Sequence, residues 1–146
     1  AVEWYGSVDV LVNNAGVSEM ARIEDMAVEA AHRVFRVNVE GVFHGMKGVI
    51  PQMKEQGEGS IVNISSGAGK TGVAQGSAYC GSKFAVIGMT EALADELADT
   101  DITVNAVCPG RTKTAMTDFE GVPPGTVAET ILEVVDAGYT GRAVDV

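Results

Sequence analysis

Aromatic side chains are scarce in this chain, with Phe, Trp and Tyr together at 5% of residues. Basic residues are also few: 10 Lys and Arg stand against 20 Asp and Glu, for a formal net charge of −10. A surface this acidic repels phosphate backbones, so no nucleic-acid partner is expected. Cysteine is limited to Cys80 and Cys108, which show neither CxxC nor any other metal-ligand spacing. They read as small apolar fillers of a reduced, cytoplasmic protein. His32 and His44 have no ligand spacing either, so no metal site is expected. Long hydrophobic runs are missing too. Gly, Asn, Glu or Lys interrupts each candidate before it reaches membrane-spanning length, and nothing at the start reads as a signal peptide.

Glycine and small aliphatic residues fill the space that aromatics leave. The chain has 146 residues, 46% of them hydrophobic and 18 of them glycine. That suits one domain, residues 1–146, with tight turns and close helix–sheet packing. Four β-branched segments read as strands, at residues 8–13, 60–65, 102–107 and 142–146. Their nearly continuous apolar character predicts a parallel sheet buried on both faces. Helical spacing runs over residues 28–56, 79–98 and 126–136, with Met46, Met53 and Met89 as core filler. Strand and helix in alternation predict right-handed crossovers and an α/β, doubly wound, Rossmann-like sheet. Residues 1–6 read as the tail of a helix feeding the first strand. A four-stranded sheet would leave an edge bare, so an N-terminal portion is expected to precede it.

Between Lys83 and Arg111 there is no basic residue, while Glu91, Asp95, Glu96, Asp99 and Asp101 all fall there. Several of these lie near a helix C-terminus, where the helix dipole disfavours negative charge and salt would screen the cost. Adaptation to high salt and an ordinary solvated face both account for them.

Two glycine motifs mislead. Gly67-Ala-Gly69-Lys-Thr-Gly72 matches G-x-G-x-x-G after a strand, but a phosphate cradle needs a helix to open at the last glycine. Helical spacing resumes only near Tyr79, so the segment reads as an active-site loop. Gly69-Lys70-Thr71 imitates the end of a P-loop, yet the position five before Gly69 is Ile64.

Chemistry gathers elsewhere. Tyr79 and Lys83 stand at i and i+4 near a helix start, on one helical face. An ammonium about 5 Å from a phenol favours the phenolate by about 3 kcal/mol at an effective dielectric of 20, or about two pKa units. That brings a tyrosine toward useful acid–base chemistry. Ser66 closes the strand before it, Asn13-Asn14-Ala15-Gly16 closes the strand before that, and Pro109-Gly110 closes the next. The carboxyl ends of a doubly wound sheet are where ligands bind.

These pieces in this order (VDVLVNNAG, RVNVEGVF, GSIVNISS, Ser66–Tyr79–Lys83 and TVNAVCPG) closely resemble the classical short-chain dehydrogenase/reductases. The match covers residues 6–110, with a fainter continuation to 146. The resemblance implies hydride transfer between NAD or NADP and a small carbonyl or alcohol substrate. Tyr79 would then be the acid and base, with Lys83 lowering its pKa and binding the nicotinamide ribose. Ser66 would hold the substrate oxygen, with Ser65 one residue off the family spacing. Asn38 matches the position that holds a relay water, although a polar residue inside a helix also serves simply to bend it. Asn14, Ala15 and Gly16 would flank the adenosine and ribose, with Asn13 bracing the sheet. Pro109, Gly110, Thr112 and Thr114 would bind the cofactor, the last of them contacting the nicotinamide carboxamide or phosphates.

The resemblance also implies what to expect beyond these residues. The family's first three strands and its glycine-rich phosphate loop have no counterpart here, so the sheet is expected to be a contiguous part of a larger one. Residues 114–127 leave a short substrate lid. A homodimer or homotetramer is implied through the helices at 28–56 and 79–98. Extended-family epimerases and dehydratases also use Tyr and Lys, but NNAG and the early Pro-Gly favour the classical group. A non-catalytic binding protein on the same fold is the remaining alternative.

Overall fold

The computed structural model describes residues 2–146. Ala1, the first residue of the expected leading helix tail, lies outside the described residues. The elements follow in the order α1 (Val2–Tyr5), β1 (Val10–Asn13), α2 (Val28–Phe35), α3 (Gly41–Gln56), β2 (Glu58–Ile64), α4 (Ser77–Glu96), β3 (Asp101–Cys108), α5 (Pro124–Asp136) and β4 (Ala143–Asp145). The strands pair in parallel in the order β1-β2-β3-β4.

Side chains alternate across this sheet and divide the core in two. Ile61, Ile102 and Val104 pack with Val42, Met46, Val86 and Leu93 from α3 and α4. Val62 and Val107 point the other way and pack with Val134 of α5. The doubly wound arrangement is therefore present, with helices on both faces. Cys80 and Cys108 are free and buried, and Met46 and Met53 are buried filler.

The expectation of strands buried on both faces holds for the central pair and fails for β1. Val10 and Val12 are 43% and 39% exposed. They stand on the α5 side of the sheet, and α5 packs mainly on β2 and β3. β1 also begins two residues later than the apolar run. The Gln56 side chain occupies the Val8 backbone, accepting from its N–H at 2.9 Å and donating to its carbonyl at 3.2 Å.

The expected continuous helix over 28–56 is interrupted. Arg36–Glu40 form a wider π turn between α2 and α3, and Asn38 lies in it, wholly buried. Such turns inside helices concentrate at functional sites. α3 ends at Gly57, whose φ of +90° suits glycine.

Candidate active site

The ends of β1, β2 and β3 open on one cleft of about 640 Å³. Its lining brings together Ser66, Tyr79 and Lys83 with Asn14, Ala15, Gly16, Pro109, Gly110, Thr112 and Thr114. Ten of the eleven positions singled out in the sequence share this space. The eleventh, Asn38, does not line it.

Tyr79 and Lys83 sit in the first turns of α4, and the Lys83 Nζ lies 5.8 Å from the Tyr79 ring centroid. Lys83 is 5% exposed and donates to the Ile64 carbonyl at 2.8 Å, where β2 ends. Burial pulls its pKa down to about 8, against a smaller opposing effect of Cys108. The sequence indicates only that lysine would act on tyrosine. It does not show that the same burial weakens the lysine's hold on its own proton.

Ser66 and Ser65 separate cleanly. Ser65 is buried and donates to the Lys83 carbonyl at 2.9 Å, tying β2 to α4. Ser66 is half-buried on the cleft wall, where its Oγ accepts from Ala68 N at 3.2 Å. The loop that follows is a short 3-10 turn, Gly67–Gly69, with no long helix opening from it. A Cβ on Gly69 would collide with Ser65 Oγ and the Lys83 carbonyl. This glycine is there for close packing against α4, which explains the decoy.

Asn38 works from behind the cleft. Its Oδ1 accepts from Val17 N at 2.8 Å, and its Nδ2 donates to the Val17 carbonyl at 2.9 Å and to Ser82 Oγ at 3.0 Å. Both amide protons are thereby engaged within the protein, so this side chain has none left to give a water. Its observed contacts fasten the loop after β1 to α4. Gly16 lies over it: a Cβ there would stand 3.5 Å from both Asn38 Oδ1 and Lys83 Nζ. Asn13 braces the sheet as expected, donating to Asn63 Oδ1 at 2.8 Å.

Sequence reasoning missed Ser82, which accepts from Asn38 and donates to the Tyr79 carbonyl at 2.7 Å. Its place three residues after Tyr79, on the buried side of the same helix, was an available signal. It also missed the apolar wall of Ile64, Val127 and Ile131. The segment expected as a short lid is a closed loop. Thr112 pairs with Val122, and the Thr117 hydroxyl lies within hydrogen-bond reach of the Thr112 and Glu120 carbonyls.

Among the described residues, Lys83 is the one charged side chain in the lining. Lys70 and Arg111 nearby are paired with Asp145 and Glu120. The donor set, with hydroxyls from Thr112 and Thr114, suits the nicotinamide and ribose end of a dinucleotide.

A family model described as short chain dehydrogenase matches residues 1–121. The chain is 46% identical over 119 residues to the 3-alpha-(or 20-beta)-hydroxysteroid dehydrogenase of Mycobacterium tuberculosis, covering 82% of this chain and 46% of that protein. It is 43% identical over 145 residues to the 3-oxoacyl-[acyl-carrier-protein] reductase FabG of Thermotoga maritima, covering 99% of this chain and 58% of the relative. The crystal structure of levodione reductase superimposes with a TM-score of 0.95 at 26% identity, covering 99% of this chain and 67% of that one. The chain thus spans about half the length of the curated relatives it matches.

Proposed function

This chain belongs to the short-chain dehydrogenase family, and we propose that it carries the catalytic half of an NAD(P)-dependent oxidoreductase acting on a carbonyl or its alcohol. The observation that carries the reading is the shared cleft. A phenol, a buried ammonium one helical turn on, and a serine hydroxyl from the adjacent strand end all face it.

A nicotinamide held by Tyr79, Lys83, Thr112 and Thr114 would supply or accept the hydride. The chain's own residues manage the rest. Ser66 Oγ holds the substrate oxygen and steadies the negative charge that develops there. The Tyr79 hydroxyl gives its proton to that oxygen in reduction and removes it in oxidation. Lys83 holds the ribose, while the Ile64 carbonyl fixes its ammonium. Gly16 and Gly110 leave room for close approach of the cofactor, and Thr112 and Thr114 offer hydroxyls to the carboxamide. Asn38 and Ser82 keep the loop after β1 and the first turn of α4 in register. Catalysis here is mostly orientation.

Two wider assignments follow. Free buried cysteines support a reducing, cytoplasmic setting. A second hollow of about 360 Å³ between α3 and α4, lined by Phe43, Met46, Ile50 and Met89, supports homodimer or homotetramer formation through these helices.

The direct test uses the polypeptide that carries these residues, supplied with NADH or NADPH deuterated at C4 and a panel of small ketones. Deuterium should appear on the carbinol carbon of a product alcohol. Absence of label in every product, with neither cofactor bound by calorimetry, would overturn the assignment.

A further inference from the structure

The lysine of the GAGK stretch takes no part in the chemistry above, and its contacts give it another task. Lys70 directly follows the turn that begins at Ser66. Its ammonium donates to the Ala143 carbonyl at 2.9 Å and to Asp145 Oδ1 at 2.7 Å, both on β4 at the far edge of the sheet. The other end of the loop rests on the end of β3. Gly67 N donates to the Pro109 carbonyl at 2.9 Å, and Ser66 Oγ lies 3.5 Å from the same oxygen. Within the loop, Gly69 N donates to the Ser66 carbonyl at 2.8 Å and Lys70 N to the Gly67 carbonyl at 3.0 Å. Among the described residues, no other side chain of residues 67–76 makes a hydrogen bond.

We propose that Lys70 is a positioning residue for Ser66, clamping the loop to β4 so that the serine hydroxyl keeps its direction into the cleft. The proposal rests on the reading of Ser66 as the group that holds the substrate oxygen. Exposed ion pairs add little to stability, because water screens them and two long side chains lose freedom. Lys70 and Asp145 are 34% and 73% exposed, so their pairing matters here for geometry. Ser66 Oγ already accepts from Ala68 N, and any tilt of the turn redirects its remaining hydrogen-bonding capacity.

The test compares Lys70→Met, Lys70→Arg, Asp145→Asn, Ser66→Ala and the Lys70→Met/Ser66→Ala double variant in the polypeptide that carries these residues. Lys70→Met should lower kcat/KM for the carbonyl substrate about tenfold, since displacements near an ångström cost up to about a hundredfold. The cofactor Kd, the melting temperature and the shape of the pH profile should stay put. Lys70→Arg should restore most of the rate, and Asp145→Asn should lose less than Lys70→Met because the Ala143 carbonyl remains. The double variant should be no slower than Ser66→Ala alone, which a role in stability would not produce. A full additional loss in the double variant, or an unchanged rate in Lys70→Met beside a slowed Ser66→Ala, would overturn the proposal while leaving the function standing. A Ser66→Ala protein as fast as the unsubstituted one would remove the role of Ser66 and this proposal with it.

Discussion

Lys83 keeps an ammonium in a place that disfavours its charge. Burial pulls its pKa from 10.5 to about 8. Between those values the unfolded chain binds a proton that the folded chain does not. Stability contributed by this residue therefore rises with pH across that window and is withheld below about pH 8. Lys83→Met should flatten that rise and raise the melting temperature at pH 7 by a few degrees, while turnover is lost. Thermal denaturation of both proteins at pH 7 and pH 10 checks it. Parallel curves with an unchanged offset would contradict the burial argument. Tyr79, Lys83 and Ser66 were legible as residues because their spacing is local to one helix and one strand end. The distinction between Ser65 and Ser66 was legible only through the family spacing. The structure supplies its cause, which is that Ser65 faces inward onto the Lys83 carbonyl.

Elements were legible where apolar periodicity governs them and were misjudged where single polar side chains intervene. Gln56 takes the backbone of Val8 and delays β1. Asn38 reaches out to Val17, and the helix around it widens into a π turn that a count of apolar positions does not reveal. Close approach of α3 to β1 depends on Gly45, because a Cβ there would collide with the Asn13 amide. Gly45→Ala should destabilise the fold by about 1–3 kcal/mol and break the Asn13–Asn63 bond. Urea denaturation reads the loss, and a midpoint within error of the parent would show that the helix shifts freely. The lid makes a similar demand. Gly121 has a φ of +114°, and a Cβ there would run into the Arg111 carbonyl. Gly121→Ala should open the Thr112–Val122 closure and expose residues 111–122 to limited proteolysis, whereas unchanged cleavage would contradict that reading.

At the scale of the whole molecule, the parallel sheet and the helices on both faces follow from alternation in the sequence, while the contiguous strand order was implied only by the family resemblance. The bare flank of β1 did not, since hydrophobic residues on an edge strand look the same as those in the centre of a sheet. Charge is distributed as unevenly as the sequence suggests. The four ion pairs among the described residues leave Glu91, Asp95 and Glu96 of α4, and Asp99 and Asp101 just after it, without a partner, and the last turn of α4 holds no basic residue. Salt should therefore stabilise the protein, by about 1 kcal/mol between low and molar NaCl. A denaturant midpoint that falls as NaCl is added would argue against repulsion among these acids.

Tyr79 is the group assigned to move the proton, and turnover of Tyr79→Phe in the cofactor-loaded protein tests that most directly. The expected result is an unchanged cofactor Kd with kcat reduced by about a hundredfold or more, since the phenol oxygen is all that is removed. Turnover close to that of the unsubstituted protein would contradict it.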